Sequence, residues 1–263
     1  MINKINIKLI ESIAADAGTE IMNIYEKEFE VEYKKDNSPL TEADLKSNKI
    51  ICDSLTNYFP EIPILSEENT EIPFSHRSKW DYYWCIDPID GTKEFIKKND
   101  EFTVNIALIH KNQPILGVVY APALNKMYSA KQGEGAFLNS QKLPLNNVSN
   151  QFVVVASKSH LSVETEKFID RLKNNFTDLE IDTKGSSLKL CMIAEGSATI
   201  YPRLAPTMEW DTAAADAIVR ESGKMTYKYD STKSPLDYLN NKNDLEELPY
   251  NKKNLLNSFF VVV

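Results

Sequence analysis

Cysteine is nearly absent: Cys52, Cys85 and Cys191 are the only three in 263 residues. Odd in number and widely spaced, they do not form a disulfide framework and fit a reducing compartment. Histidine is as scarce, and neither an HExxH motif nor a paired-cysteine motif occurs, which speaks against a zinc site. No apolar run approaches the roughly 18–20 residues that span a bilayer. The first residues mix Lys4, Lys8 and Glu11 into apolar positions, unlike a signal peptide. The expectation is a cytoplasmic protein without a transmembrane segment. Positive charge is also in short supply. Thirty Lys and Arg stand against 38 Asp and Glu, and the net charge of -8 argues against broad neutralisation of nucleic-acid phosphates. There is no internal repeat, low-complexity tract or basic-aromatic stripe. A small phosphorylated substrate stays open, because bound divalent ions reverse the local potential.

What is present is an ordinary globular composition, 42% hydrophobic and 26% charged. Ile5 to Glu28 carries apolar residues at helical spacing, and Phe29 to Tyr33 alternates as a strand does. Asp36 to Pro39 breaks that strand, and Thr41 opens a second helix through Tyr58 with the pattern of a capping box. Ile62 to Leu65, Trp80 to Ile86, Phe102 to His110 and Pro114 to Tyr120 read as strands, and Lys126 to Leu138 as a hairpin turning at Gly133-Glu134-Gly135. Past a polar stretch from Asn146 to Asn150, strands and helices alternate. Phe152 to Ala156, Leu179 to Asp182, Ala198 to Tyr201 and Phe259 to Val263 read as strands. Helices are predicted from Ser162 to Lys173, from Ser186 to Glu195 and from Thr212 to Glu221, the last stopped by Gly223. The pattern predicts layered α/β (α+β) architecture with an antiparallel-rich first part. Residues 1–148 and 149–263 are expected to form two closely packed subdomains.

The chain is organised around Trp84-Cys85-Ile86-Asp87-Pro88-Ile89-Asp90-Gly91-Thr92. Pro88 cannot donate to a central ladder, so the strand is expected to end at Asp87, with Asp90-Gly91 forming a turn. Gly91 allows positive φ and close approach of backbone to a ligand. Glu67 and Glu68 follow one strand, Asp87 and Asp90 end another, and Asp211 begins a helix. Carboxylates that converge without a cation repel one another, and an all-oxygen donor set suits magnesium, manganese or calcium. Each acid also has a plain structural role open to it. Asp211 and Asp44 can cap helices, Asp87 and Asp90 can be turn residues, and Glu67-Glu68 can be a solvated pair. Ser186 can likewise be a helix cap, and Lys189 and Arg203 solvated charges.

Asp87-Pro88-Ile89-Asp90-Gly91-Thr92, with Glu67-Glu68 before it and Trp210-Asp211-Thr212-Ala213-Ala214 far downstream, resembles the inositol monophosphatase superfamily. More narrowly, Asp90 to Lys97, Glu101 to Ile109, Pro114 to Pro122 and Gly185 to Lys189 resemble the CysQ type of 3'(2'),5'-bisphosphate nucleotidase. The likeness is weakest from Gln132 to Asn150 and from Asp230 to Asn254. It implies the layered αβαβα sandwich shared with fructose-1,6-bisphosphatase, and a phosphatase using two or three Mg2+ ions, with Li+ as inhibitor. By resemblance, Glu67, Asp87, Asp90, Asp211 and the Ile89 carbonyl are metal ligands. The resemblance likewise implies that Thr92 contacts the attacking water and that Asp44 receives its proton through the Thr92 hydroxyl. Glu67, Ile89, Asp90, Gly91, Thr92 and Asp211 surround the scissile phosphate. Ser186, Lys189 and Arg203 are implied at a second phosphate, and Ser157 and His160 near a base. The implied substrate is adenosine 3',5'-bisphosphate, and the implied process is sulfate assimilation or nucleotide recycling. An inositol or sugar phosphate is the alternative within the superfamily, and a non-enzymatic divalent-metal-binding protein the alternative outside it. Ala205 stands where similar enzymes often have glycine, and Met208-Glu209 replaces less acidic residues. Both departures bear on substrate preference and leave the implied ligands in place.

Overall fold

Alternation of apolar residues in the first half builds a seven-stranded sheet. The computed structural model describes residues 2, 5–34, 39–69, 71–146, 151–157 and 162–263. Helix α1 (Ile7–Tyr25) leads through β1 (Val31–Tyr33) and β2 (Pro39–Thr41) to α2 (Glu42–Tyr58). The sheet then forms from β3 (Ile64–Ser66), β4 (Tyr82–Asp90), β5 (Thr103–His110), β6 (Gln113–Ala121), β7 (Lys126–Lys131), β8 (Gly135–Leu138) and β9 (Gln141–Lys142), neighbours in chain order. Only β3 and β4 pair in parallel. Two short helices interrupt it, α3 (Phe74–Arg77) and α4 (Thr92–Ile96).

The pleat sends alternate side chains to opposite faces. Trp84, Ile86, Val104, Ile106, Leu108, Leu116 and Val118 pack under α1 and α2. Tyr83, Cys85, Ala107, Ile109 and Val119 face the other way, against α6 (Leu188–Glu195) and α7 (Glu209–Glu221). Gly117 is required where α7 crosses the sheet, since a Cβ there would stand 2.1 Å from the Ala214 carbonyl.

The second half contributes β10 (Val153–Ser157), α5 (Val163–Lys173), β11 (Glu180–Lys184), β12 (Tyr201–Arg203), β13 (Thr226–Lys228), α8 (Pro235–Asn240) and β14 (Phe260–Val262). β10 pairs with β11, and β14 lies between β12 and β13. A parallel bridge from Val154 to Ile200 joins the two sets. Val153, Val155, Phe260 and Val262 face α6 and α7, while Val154, Ala156, Val261 and Val263 pack with Phe168 of α5 and Tyr238 of α8. The layers are therefore αβαβα, as expected.

Three local expectations need correction. β4 does not stop at Asp87. It runs to Asp90 across a one-residue bulge, with Asp87 opposite Asn105 and Asp90 opposite Thr103. The bulge absorbs Pro88, whose missing N–H would otherwise break the ladder. The strand expected at Ala198 to Tyr201 is shifted to Tyr201–Arg203. The helix expected from Thr212 begins at Glu209, because Asp211 in its first turn accepts the Met208 N–H. Residues 147–150, within the polar stretch, lie outside the described residues.

Candidate active site

The bulged end of β4 aims its carboxylates into a cavity closed on the far side by the second half. Glu67, Asp87, Ile89, Asp90, Gly91, Thr92 and Asp211 line it. So do Ser157, Ser186, Lys189 and Arg203. Every site residue expected from the sequence thus lines one cavity, apart from Asp44, which lies behind Thr92, and His160, which is outside the described residues.

Asp44 shows how a structural and a functional role share one side chain. It is 2% exposed, at the third position of α2. Its Oδ2 accepts the Thr41 N–H at 2.8 Å and the Thr41 hydroxyl at 2.6 Å, which caps the helix. Its Oδ1 lies 3.2 Å from Thr92 Oγ1, which is also 3.3 Å from the Ile89 carbonyl. Burial raises the Asp44 pKa against the pull of the Thr41 hydrogen bonds. Thr92 thus has a carboxylate placed to take a proton from it. Gly91, at φ +93°, makes the left-handed turn that starts α4 beside this pair.

The four carboxylates feel one another. Burial raises the Asp87 pKa well above the ordinary range, reinforced by Glu67, Asp90, Asp211 and Asp44. Asp211 is raised well above it by burial and then by Asp90. Glu67 is raised by burial, opposed chiefly by Lys34. Asp90 is raised by burial, opposed by Lys189 and the Ser187 hydrogen bond. As the side chains stand, each is turned to a protein donor. Glu67 meets Lys34 Nζ at 2.8 Å, and the same ammonium meets Glu68 at 2.5 Å. Asp87 Oδ1 accepts the Ile89 N–H, and Asp211 Oδ2 the Met208 N–H. Among the described residues no three such donors converge as they would around one ion. The donor set nevertheless fits a hard divalent cation: it is all oxygen, and burial, reinforced at Asp87 and Asp211 by neighbouring acids, disfavours ionisation that a cation would offset.

Opposite stands a cationic wall. Lys189 is 5% exposed, and burial lowers its pKa to about 8, with Asp90 pulling the other way. Its ammonium donates to the Lys184 carbonyl at 3.2 Å and the Ser186 carbonyl at 2.6 Å. Arg203 is 8% exposed and donates from Nη2 to the Pro206 carbonyl, while its Nε has no partner among the described residues. Ser186 sits at φ +44°, strained for a residue with a Cβ, and its buried Oγ is likewise unpartnered.

Three participants were missed. Ser187 Oγ lies 2.6 Å from Asp90 Oδ2 and 2.8 Å from the Asp211 carbonyl, and accepts from Asn105 Nδ2 at 2.8 Å. It ties the two acidic segments together, a role that a helix cap and a phosphate ligand equally hide in the pair Ser186-Ser187. Asn105 reads simply as one polar residue in a β-strand. Lys34 sits 33 positions from Glu67, with no motif to connect them.

The inositol monophosphatase family model matches residues 5–259. The chain is 44% identical over 230 residues to the 3'(2'),5'-bisphosphate nucleotidase CysQ of Shigella flexneri, covering 86% of this chain and 91% of the relative. It is 37% identical to the protein of the same name from Haemophilus influenzae, covering 95% and 90%. The crystal structure of CysQ from Bacteroides thetaiotaomicron, a bacterial member of the same family, superposes with a TM-score of 0.83 at 40% identity, covering 97% of this chain and 96% of that one.

Proposed function

The chain belongs to the inositol monophosphatase family, and we propose that it removes the 3'-phosphate of adenosine 3',5'-bisphosphate, giving AMP and phosphate. Its nucleotidase relatives support the substrate class. Within the molecule, one observation carries the reading: a single cavity has mutually repelling carboxylates on one side and buried, partly unpartnered cationic and hydroxyl donors on the other. The first side suits a metal-bridged scissile phosphate, the second a phosphate that is held and not cleaved.

Glu67, Asp87, Asp90, Asp211 and the Ile89 carbonyl would hold Mg2+ ions. Those ions would supply Lewis acidity, which lowers the pKa of water and offsets charge on the leaving oxygen. The chain's own residues do the rest. Thr92 orients the attacking water and takes its proton as the Thr92 hydroxyl proton passes to Asp44 Oδ1, whose other oxygen is fixed by Thr41. Backbone N–H groups at Gly91 and Thr92 stand at the start of α4, suited to phosphoryl oxygens. Ser186, Lys189 and Arg203 bind the second phosphate, and Ser157 contributes to the nucleoside side. Lithium is expected to inhibit, and the activity belongs with sulfate assimilation and nucleotide recycling. No helix among the described residues is long and apolar enough to cross a membrane.

The test is phosphate release from adenosine 3',5'-bisphosphate, inositol 1-phosphate and fructose 1,6-bisphosphate with Mg2+, repeated with Li+. Highest kcat/KM on the nucleotide, suppressed by Li+, is expected. Equal or faster turnover of either competitor overturns the assignment.

A further inference from the structure

The turn that presents Ser186 is gripped from the first half of the chain by a residue that does not line the cavity. Glu101 is mostly buried, with 13% of its side chain exposed. Its Oε2 accepts the Gly185 N–H at 2.9 Å, and its Oε1 lies 3.6 Å from Lys184 Nζ. From the other side, Lys189 donates to the carbonyls of Lys184 and Ser186. The turn is therefore held at an amide by a carboxylate and at two carbonyls by an ammonium.

The Glu101 backbone is wedged as well. A Cβ on Gly185 would meet Glu94 Cγ at 2.7 Å and the Glu101 carbonyl at 2.8 Å. A Cβ on Gly91 would meet the same carbonyl at 3.1 Å and Ser186 Cβ at 3.3 Å. Glu101 thus passes between the catalytic loop and the Ser186 turn. Its own placement is fixed upstream. Asn99 Oδ1 accepts the Glu101 N–H at 3.1 Å, Lys98 and Asp100 both take left-handed conformations, and the Tyr25 hydroxyl donates to Asp100 Oδ1 at 2.8 Å. The strained Ser186 needs such support to keep its Oγ buried and unpaired.

We propose that Glu101 is a positioning residue for the second phosphate: through Gly185 it holds Ser186 and Lys189 in the geometry that receives the phosphate left uncleaved. The proposal rests on the bisphosphate nucleotidase reading. It separates Glu101 from a general packing role, because a substrate lacking the second phosphate makes no use of the turn.

The experiment compares kcat and KM with Mg2+ for adenosine 3',5'-bisphosphate and adenosine 3'-monophosphate in the wild type, Glu101→Ala and Glu101→Gln. A charge-assisted hydrogen bond is removed, so KM for the bisphosphate is expected to rise about tenfold in Glu101→Ala, with kcat and both constants for the monophosphate within about twofold. Glu101→Gln keeps an acceptor for the Gly185 N–H and is expected to restore most of the bisphosphate KM. Equal losses on the two substrates, or an unchanged bisphosphate KM, overturn the proposal. If Glu101→Ala fails to fold, Glu101→Asp, which withdraws the acceptor by one methylene, is judged by the same split. A wild type that does not prefer the bisphosphate overturns the nucleotidase reading itself, and this proposal with it.

Discussion

The two sides of the cavity solve opposite electrostatic problems. On the β4 side, carboxylates are crowded, buried and raised in pKa, and each leans on a local donor such as Lys34, Ser187 or the Met208 amide. On the β12 and α6 side, an ammonium and a guanidinium are buried with donors to spare, and a strained serine keeps its hydroxyl free. Neither arrangement is favourable alone, since buried charge is costly unless compensated. Cations would stabilise one side and an anion the other, and the proposed metal-bound phosphorylated substrate would supply both. On the proposed function, chemistry belongs to the first side and recognition to the second.

The sharpest way to break that division is Asp87→Asn. Burial and then acidic neighbours raise the Asp87 pKa, so the amide should relieve repulsion while removing a proposed metal ligand. Phosphate release is expected to fall by about 10³-fold or more, while the melting temperature in chelator rises. A melting temperature that falls with activity would show that Asp87 is a structural residue. Next comes Thr92→Ala. The hydroxyl bonded toward Asp44 is lost without disturbing the Thr41 cap, so kcat should drop about 10²- to 10⁴-fold at nearly constant KM and stability. Retained turnover would remove Thr92 and Asp44 from the chemistry.

On the opposite side the expected effects are smaller and fall on binding. Arg203→Met should raise KM for the bisphosphate about tenfold or more, with kcat little changed. A kcat loss equal to that of Thr92→Ala would erase the division. Lys189 adds a pH signature. With its pKa lowered to about 8, it loses charge between pH 7 and 9, so KM for the bisphosphate should climb across that range while KM for the monophosphate changes less.

The same division governs what was legible in the sequence. The β4 side is written in contiguous motifs whose chemistry is local: a capping box at Thr41, a Pro-Gly bulge and turn, and an acid in the first turn of α7. Such features follow from backbone geometry within a few residues, and their placement was readable apart from the strand end and the start of α7. That the fold is layered was readable too, because apolar alternation survives as alternate faces of the sheet, whereas the αβαβα order came with the family resemblance. Pairings between distant segments were not. Lys34 with Glu67, Asn105 with Ser187 and Glu101 with Gly185 join segments distant in sequence, and no periodicity ties one to the other. Ser186 and Ser187 are neighbours in sequence, yet Ser187 bonds Asp90 while Ser186, in a left-handed conformation normally reserved for glycine, keeps its Oγ without a partner among the described residues.

The smallest expected effect is on stability, and its sign follows from the crowded carboxylates. A group whose folded pKa is raised binds more protons folded than unfolded between the two values, so stability falls as pH rises through that interval. Glu67, Asp87, Asp90 and Asp211 all shift this way, mainly through burial. In chelator, the melting temperature should therefore decline as pH rises from the ordinary carboxylate range toward neutrality. Lys189 runs oppositely: its lowered pKa makes the folded state bind fewer protons, so its own contribution recovers stability only from about pH 8 upward. Saturating Mg2+ should flatten the acidic limb, because ligation offsets both the burial cost of the ionised acids and their repulsion. Calorimetry between pH 5 and 7, with and without Mg2+, reads this directly. A chelated protein that gains stability with pH over that span would mean the acids are already compensated within the chain, and that Lys34, Ser187 and the helix amides, without any metal, balance the β4 side.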